Sequence, residues 1–128
     1  MKKIIIPVLL LFLLALTGCS SSDKLVGNWQ RDDGSIYNGM QVKVEKLDTG
    51  EYRASIIKAD KEAVFKEGDV KWKDVKKVSE DSFDLNDFGS GEWHQMNIKM
   101  ADKDTLNIRN LVDTGEIGST QKWIRASK

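Results

Sequence analysis

The chain has 128 residues, 40% of them hydrophobic and 31% charged, with 20 basic and 20 acidic side chains that cancel. That balance gives no electrostatic case for nucleic acid, and the single cysteine excludes an internal disulfide. The length suits one domain with its own core.

Lys2 and Lys3 precede an apolar run from Ile4 to Leu16, shorter than the roughly 20 residues a spanning helix needs. A positive start, a short apolar core and small residues before a cysteine form a secretory signal. Its last four residues, Leu16, Thr17, Gly18 and Cys19, resemble a bacterial lipobox. That resemblance implies removal of residues 1–18 and acylation of Cys19, so that palmitate-type chains hold the protein at the cell membrane, facing the extracytoplasmic side. Residues 19–24, with Ser20-Ser21-Ser22, then make a short tether, and residues 25–128 are the folded domain. Without Lys2 and Lys3 the mature chain is slightly acidic.

The first expected strand is Leu25-Val26-Gly27-Asn28-Trp29, in which Gly27 and Trp29 face one side and the glycine lets the backbone pass close to a neighbour. A turn over Arg31 to Ser35 leads to Met40, Val42 and Val44, alternating with Gln41, Lys43 and Glu45 as in a half-buried antiparallel strand. Asp48-Thr49-Gly50 predicts a hairpin turn, and Tyr52, Ala54 and Ile56 mark the inward face of the return strand. After Asp60-Lys61-Glu62, three short charged strands are expected at Val64 to Lys66, Val70 to Lys73 and Val75 to Val78, with a turn at Gly68-Asp69. Lys71, Lys73, Lys76 and Lys77 read as a solvated strand face. Phe83 and Leu85 alternate in the next strand, and Asn86 to Gly91 reads as a loop. From Glu92 to Met100, His94, Met96, Ile98 and Met100 share one parity while Trp93 falls on the other, as an exposed rim residue or one displaced by a bulge. Leu106, Ile108 and Asn110 alternate after a turn at Ala101 to Asp104, a loop covers Val112 to Ser119, and Thr120 to Ala126 is the closing strand.

No helical period is sustained after the signal, so the expectation is all-β: a small antiparallel up-and-down barrel of about eight strands. Leu-x-Gly-x-Trp in the first strand and Trp123-Ile124-Arg125 in the last resemble the lipocalin and fatty-acid-binding-protein group, the calycins. The resemblance implies that Trp29 plugs the closed end of the barrel and that Arg125 lies across it, with Gly27 alongside. It also implies a non-enzymatic protein that binds a small hydrophobic or amphipathic ligand. Within such a barrel His94, Met96, Ile98 and Asn110 are the candidate pocket residues, a mostly apolar lining with a few oriented polar groups. Nine aromatic side chains after the signal make a filled barrel the rival expectation. The function then becomes docking of an envelope protein, as in the lysozyme-inhibitor lipoproteins that this chain resembles in size and anchoring.

Other motifs carry no chemistry. Asp48-Thr49-Gly50 and Asp113-Thr114-Gly115 share the aspartic-protease triplet, but each is followed by a glutamate, Glu51 or Glu116, and the chain is too short for two lobes. Asp84 to Gly89 matches a calcium loop in composition only, because Phe88 stands at a ligand position. His94 is the single histidine, so no histidine pair for zinc can form. The sequence therefore predicts no catalytic residue, no metal and no cofactor. The expected partners are the membrane through Cys19, a small apolar ligand and an envelope protein.

Overall fold

The computed structural model describes residues 23–111 and 120–126. The expected signal peptide, lipobox, Cys19 and serine tether, and the triplet Asp113-Thr114-Gly115, lie outside the described residues. The strands are β1 (Gly27–Arg31), β2 (Gln41–Lys46), β3 (Tyr52–Lys58), β4 (Val70–Ser79), β5 (Ser82–Gly89), β6 (Glu92–Asp102), β7 (Thr105–Asn110) and β8 (Thr120–Arg125). Each pairs antiparallel with its neighbour in sequence, and β1 pairs with β8, which closes an eight-stranded up-and-down barrel.

Alternation decides which side chains fill it. Trp29, Val42, Val44, Ala54, Ile56, Ile98, Leu106 and Ile108 point inward and are buried, while their polar neighbours face outward. Three indoles, Trp29, Trp72 and Trp123, are fully buried inside the barrel, with Trp72 and Trp123 edge to face at 5.1 Å between centroids. The waist is therefore solid.

One end is sealed. Trp29 donates its indole N–H to the Leu25 carbonyl at 2.9 Å, and the Arg125 guanidinium carbon lies 4.2 Å from the Trp29 ring centroid. Arg125 also donates to the carbonyls of Val26 at 3.2 Å, Lys24 at 2.9 Å and Lys103 at 2.7 Å, and to the Asp104 carboxylate at 3.3 Å. It ties the chain's entry into β1 to the β6–β7 turn. Gly27 has φ +132, and a Cβ there would meet Arg125 Nη1 at 2.8 Å. The glycine is what lets the arginine lie flat across the end.

Three expectations need correction. Val64 to Lys66 is not a strand: Asp60 accepts the amides of Val64 and Phe65 at 3.4 Å each, and the segment is a loop that folds Phe65 inward. Val70 to Lys73 and Val75 to Val78 are one strand, interrupted by a bulge at Asp74, whose φ of 53 shifts the inward parity from Trp72 to Val75. Asn86 to Gly89 belongs to β5, paired with β6 down to Gly89 opposite Glu92, and only Ser90-Gly91 turns.

Candidate functional site

The other end is open. Between the waist and the loops at the ends of β1, β3 and β5 lies a cavity of about 340 Å³. Tyr37 and Phe65, 5.5 Å apart edge to face, and Met96 form its apolar wall. Arg31, Lys71, Asp87 and Gln121 form its polar floor, and all four are buried.

A bulge and a parity bring the floor together. Ala54 pairs with Trp72 while Ser55 pairs with Val70, so β4 carries an extra residue opposite β3, and the consecutive Lys71 and Trp72 are both buried. Lys71, expected on a solvated face, is only 2% exposed. On the neighbouring strand, Phe83, Leu85 and Asp87 share the inward parity of β5, and Asp87 pairs opposite Trp72, which puts a carboxylate beside that ammonium at 2.9 Å. Lys71 also donates to the Phe88 carbonyl and sits 4.5 Å from the Phe65 ring centroid. A relay connects the pair to the waist: Trp123 donates to Gln121 at 3.0 Å, and Gln121 donates to Asp87 at 3.2 Å.

Burial pushes the Lys71 ammonium below its ordinary pKa. Asp87 opposes that shift by charge and hydrogen bond, and the charge of Arg31 adds to it. Arg31 stands at the end of β1, its guanidinium carbon 5.5 Å from the Tyr37 centroid and 5.9 Å from that of Trp123. Its Nε donates to Asp33 at 2.6 Å. Burial alone would raise the Asp33 carboxyl pKa, but the Arg31 hydrogen bond and the Ser35 amide outweigh it and hold the group below its ordinary value.

No protein-family model and no curated protein matches the chain. A solved structure does: a protein from the human pathogen Helicobacter pylori, described as belonging to the lipocalin family, superimposes with a TM-score of 0.64. It covers 81% of this chain and 84% of its own, at 18% identity, so the likeness is one of fold. The barrel is lipocalin-like. In such a barrel the open end is where a ligand can enter, and that end carries the mixed cavity described above.

The four pocket residues expected from the sequence divide at this cavity. His94, Met96 and Asn110 line it, with Met96 opposite Asn110 across the β6–β7 pairing. His94 Nε2 makes a 3.0 Å hydrogen bond with the Gly89 carbonyl, which spends one ring nitrogen on the β5–β6 turn. Ile98 shares their parity but lies deeper, fully buried in the core. Arg31, Lys71, Asp87 and Gln121 were not among the expected residues. Asp87 could have been found by extending the Phe83, Leu85 alternation one step, whereas nothing in the sequence marks the bulge that turns Lys71 inward.

Two other depressions are weaker sites. One of about 340 Å³ on the outer wall is lined by exposed Asp74, Asp84 and Gln95, and one of about 260 Å³ lies between Val70, Phe88 and Trp93. Trp93 is 36% exposed at the rim, edge to face with Phe88 at 5.0 Å and capped by the Lys73 ammonium at 4.2 Å.

Proposed function

We propose that the protein is a lipid-anchored binding protein of the cell membrane, facing the extracytoplasmic side, which takes a small amphipathic ligand into the open end of its barrel and catalyses no reaction. The observation that carries the binding reading is the cavity itself: an aromatic wall against a charged floor, inside an eight-stranded barrel whose waist is packed solid. At about 340 Å³ it is at the small end of the range for ligand sites. A purely apolar occupant would cover the terminal nitrogens of Arg31, which have no acceptor among the described residues, without pairing them, so the charged floor narrows the ligand from apolar to amphipathic. The non-enzymatic reading has the support that His94 is engaged with a backbone carbonyl. Among the described residues, no three His, Cys, Asp or Glu side chains gather as metal ligands.

The anchor rests on Leu16-Thr17-Gly18-Cys19 and the apolar run before it. Metabolic labelling with palmitate should tag the wild-type chain and leave the Cys19→Ser variant unlabelled and released from the membrane. An unlabelled, soluble wild type would end the anchoring half of the proposal. For the ligand, the full chain in detergent is incubated with envelope extract, repurified and analysed by mass spectrometry beside a Met96→Trp variant that fills the cavity. Retention of a small molecule by the wild type alone is the expected result, and retention by neither or by both counts against it.

A second reading has its own observation. The exposed large apolar side chains Ile36 (62%), Val64 (56%) and Leu111 (45%) lie with Trp93 around the open end, a rim suited to docking an envelope protein. If substitutions at Ile36 and Trp93 abolish capture of a defined envelope protein while cavity-filling changes do not, this second reading replaces the first.

A further inference from the structure

We infer that the molecule received by the open-end cavity carries a carboxylate, held by the terminal nitrogens of Arg31, on a body about one aromatic ring in size. The inference rests on the small-ligand reading above and names the chemical class. Arg31 is buried, with a side chain 9% exposed, and it lines the cavity. A guanidinium offers five N–H donors, and Asp33 takes the one on Nε. Among the described residues, neither Nη1 nor Nη2 donates a hydrogen bond to anything, whereas the guanidinium of Arg125 at the sealed end is used on both. Neither is among the fully buried side-chain atoms left without a partner, so both keep access to solvent, and their planar fork matches the two oxygens of a carboxylate.

The carboxylate that lines the cavity already faces a cation. Asp87 faces Lys71 at 2.9 Å through one oxygen and accepts from Gln121 at 3.2 Å through the other. Of the charged lining residues, Lys71 is paired with Asp87, while Arg31 meets its own carboxylate, Asp33, through Nε at 2.6 Å, and Asp33 does not line the cavity. The charge of Arg31 disfavours the charged form of Lys71, and an anion set against the guanidinium would relieve that repulsion. Tyr37 and Trp123 flank the guanidinium and fix its orientation, and Phe65 beside Tyr37 offers a ring face to the apolar part of the ligand. Since a cavity of roughly 150 Å³ admits benzene, about 340 Å³ holds a ring, its carboxylate and a few atoms more.

The test is an NMR titration of the ¹⁵N-labelled full chain in detergent micelles with benzoate and with its neutral isostere benzamide. Benzoate should saturably shift the Arg31 Nε–H signal and the Met96 and Gln121 amides, and should bind about tenfold or more tightly than benzamide. Arg31→Lys, which keeps the charge and loses the fork, should weaken benzoate by a similar factor and leave benzamide unchanged. Equal affinity for the two probes overturns the carboxylate inference and leaves a ligand cavity standing. Absence of saturation by either probe overturns it too, and the cavity reading then falls only if the envelope extract also yields nothing. Benzoate binding that is indifferent to Arg31→Lys removes Arg31 from the role. Should that variant not fold, the benzoate-to-benzamide ratio on the wild type decides.

Discussion

At the closed end Arg125 lies on Trp29 and gives its donors to three backbone carbonyls and a carboxylate, while at the open end Arg31 lies between Tyr37 and Trp123 and spends Nε alone on a side chain. Both are arginine against aromatic rings, so residue type does not separate them. What separates them is how completely the donors are used: saturated, the guanidinium is a clasp, and unsaturated, it is a receptor. The surroundings differ in the same sense. The closed end is backed by chain segments that converge on Arg125, whereas the open end is backed by a buried ion pair and empty volume.

The largest effects should come from emptying or unbalancing the two ends. Trp29→Ala removes a fully buried indole and should cost about 3–5 kcal/mol in chemical denaturation. At the open end Asp87→Leu leaves the Lys71 ammonium buried without its counter-charge, again about 3–5 kcal/mol. The ends part company in rescue: adding Lys71→Met to Asp87→Leu should recover most of the loss, because an apolar pair of similar volume replaces two desolvated charges. No substitution at Arg125 should rescue Trp29→Ala. Failure of the double variant to recover would mean that the relay through Gln121 and Trp123, rather than the ion pair, sustains the floor.

Smaller effects probe the clasp. Gly27→Ala adds a Cβ 2.8 Å from Arg125 Nη1 at a φ that L residues rarely adopt, and should cost about 1–3 kcal/mol by the same assay. Arg125→Lys keeps the charge over the indole and loses the directed bonds, for about 0.5–2 kcal/mol. In a double-mutant cycle Arg125→Lys and Trp29→Ala should couple by more than about 0.5 kcal/mol, and additive effects would mean that the stacked contact carries no energy of its own.

The two ends were also unequally legible in the sequence. The clasp was legible only through a resemblance, carried by a glycine two residues before a tryptophan and an arginine two after another, and β1 pairs Trp29 with Arg125 of β8. Regular alternation likewise exposed the inward faces of β2, β3, β6 and β7, because a half-buried strand repeats every two residues. The cavity floor broke that rule twice. A bulge opposite Ser55 turns Lys71 inward, and a bulge depends on the register of the neighbouring strand, which the sequence of β4 does not contain. Asp87 sits in a run of turn-favouring residues, Asn86 to Gly91, whose local preference is overridden by continuous pairing with β6. Phe65 reads as part of a strand until the Asp60 carboxylate is seen to take the neighbouring amides.

The smallest effect distinguishes the ends by pH. Lys71 has a folded pKa below its ordinary value of 10.5, so between the two values the unfolded chain binds more protons than the folded one. Stability from this group therefore rises with pH through that window and is least where the ammonium is fully charged in both states. The sign is opposite to that of a lysine stabilised by its partner, because desolvation outweighs Asp87 here. Asp33, with its folded pKa held below 3.8, gives stability that is present above that value and lost as the pH falls through the folded one. Denaturant midpoints measured from neutral pH toward 10.5 should rise for the wild type relative to the Lys71→Met/Asp87→Leu variant, in which the other lysines titrate equally and cancel. A difference that stays flat would mean that Asp87 compensates the burial of Lys71 fully. The floor would then be an electrostatically finished structure like the clasp, with Lys71 balanced by Asp87 and Arg31 by Asp33.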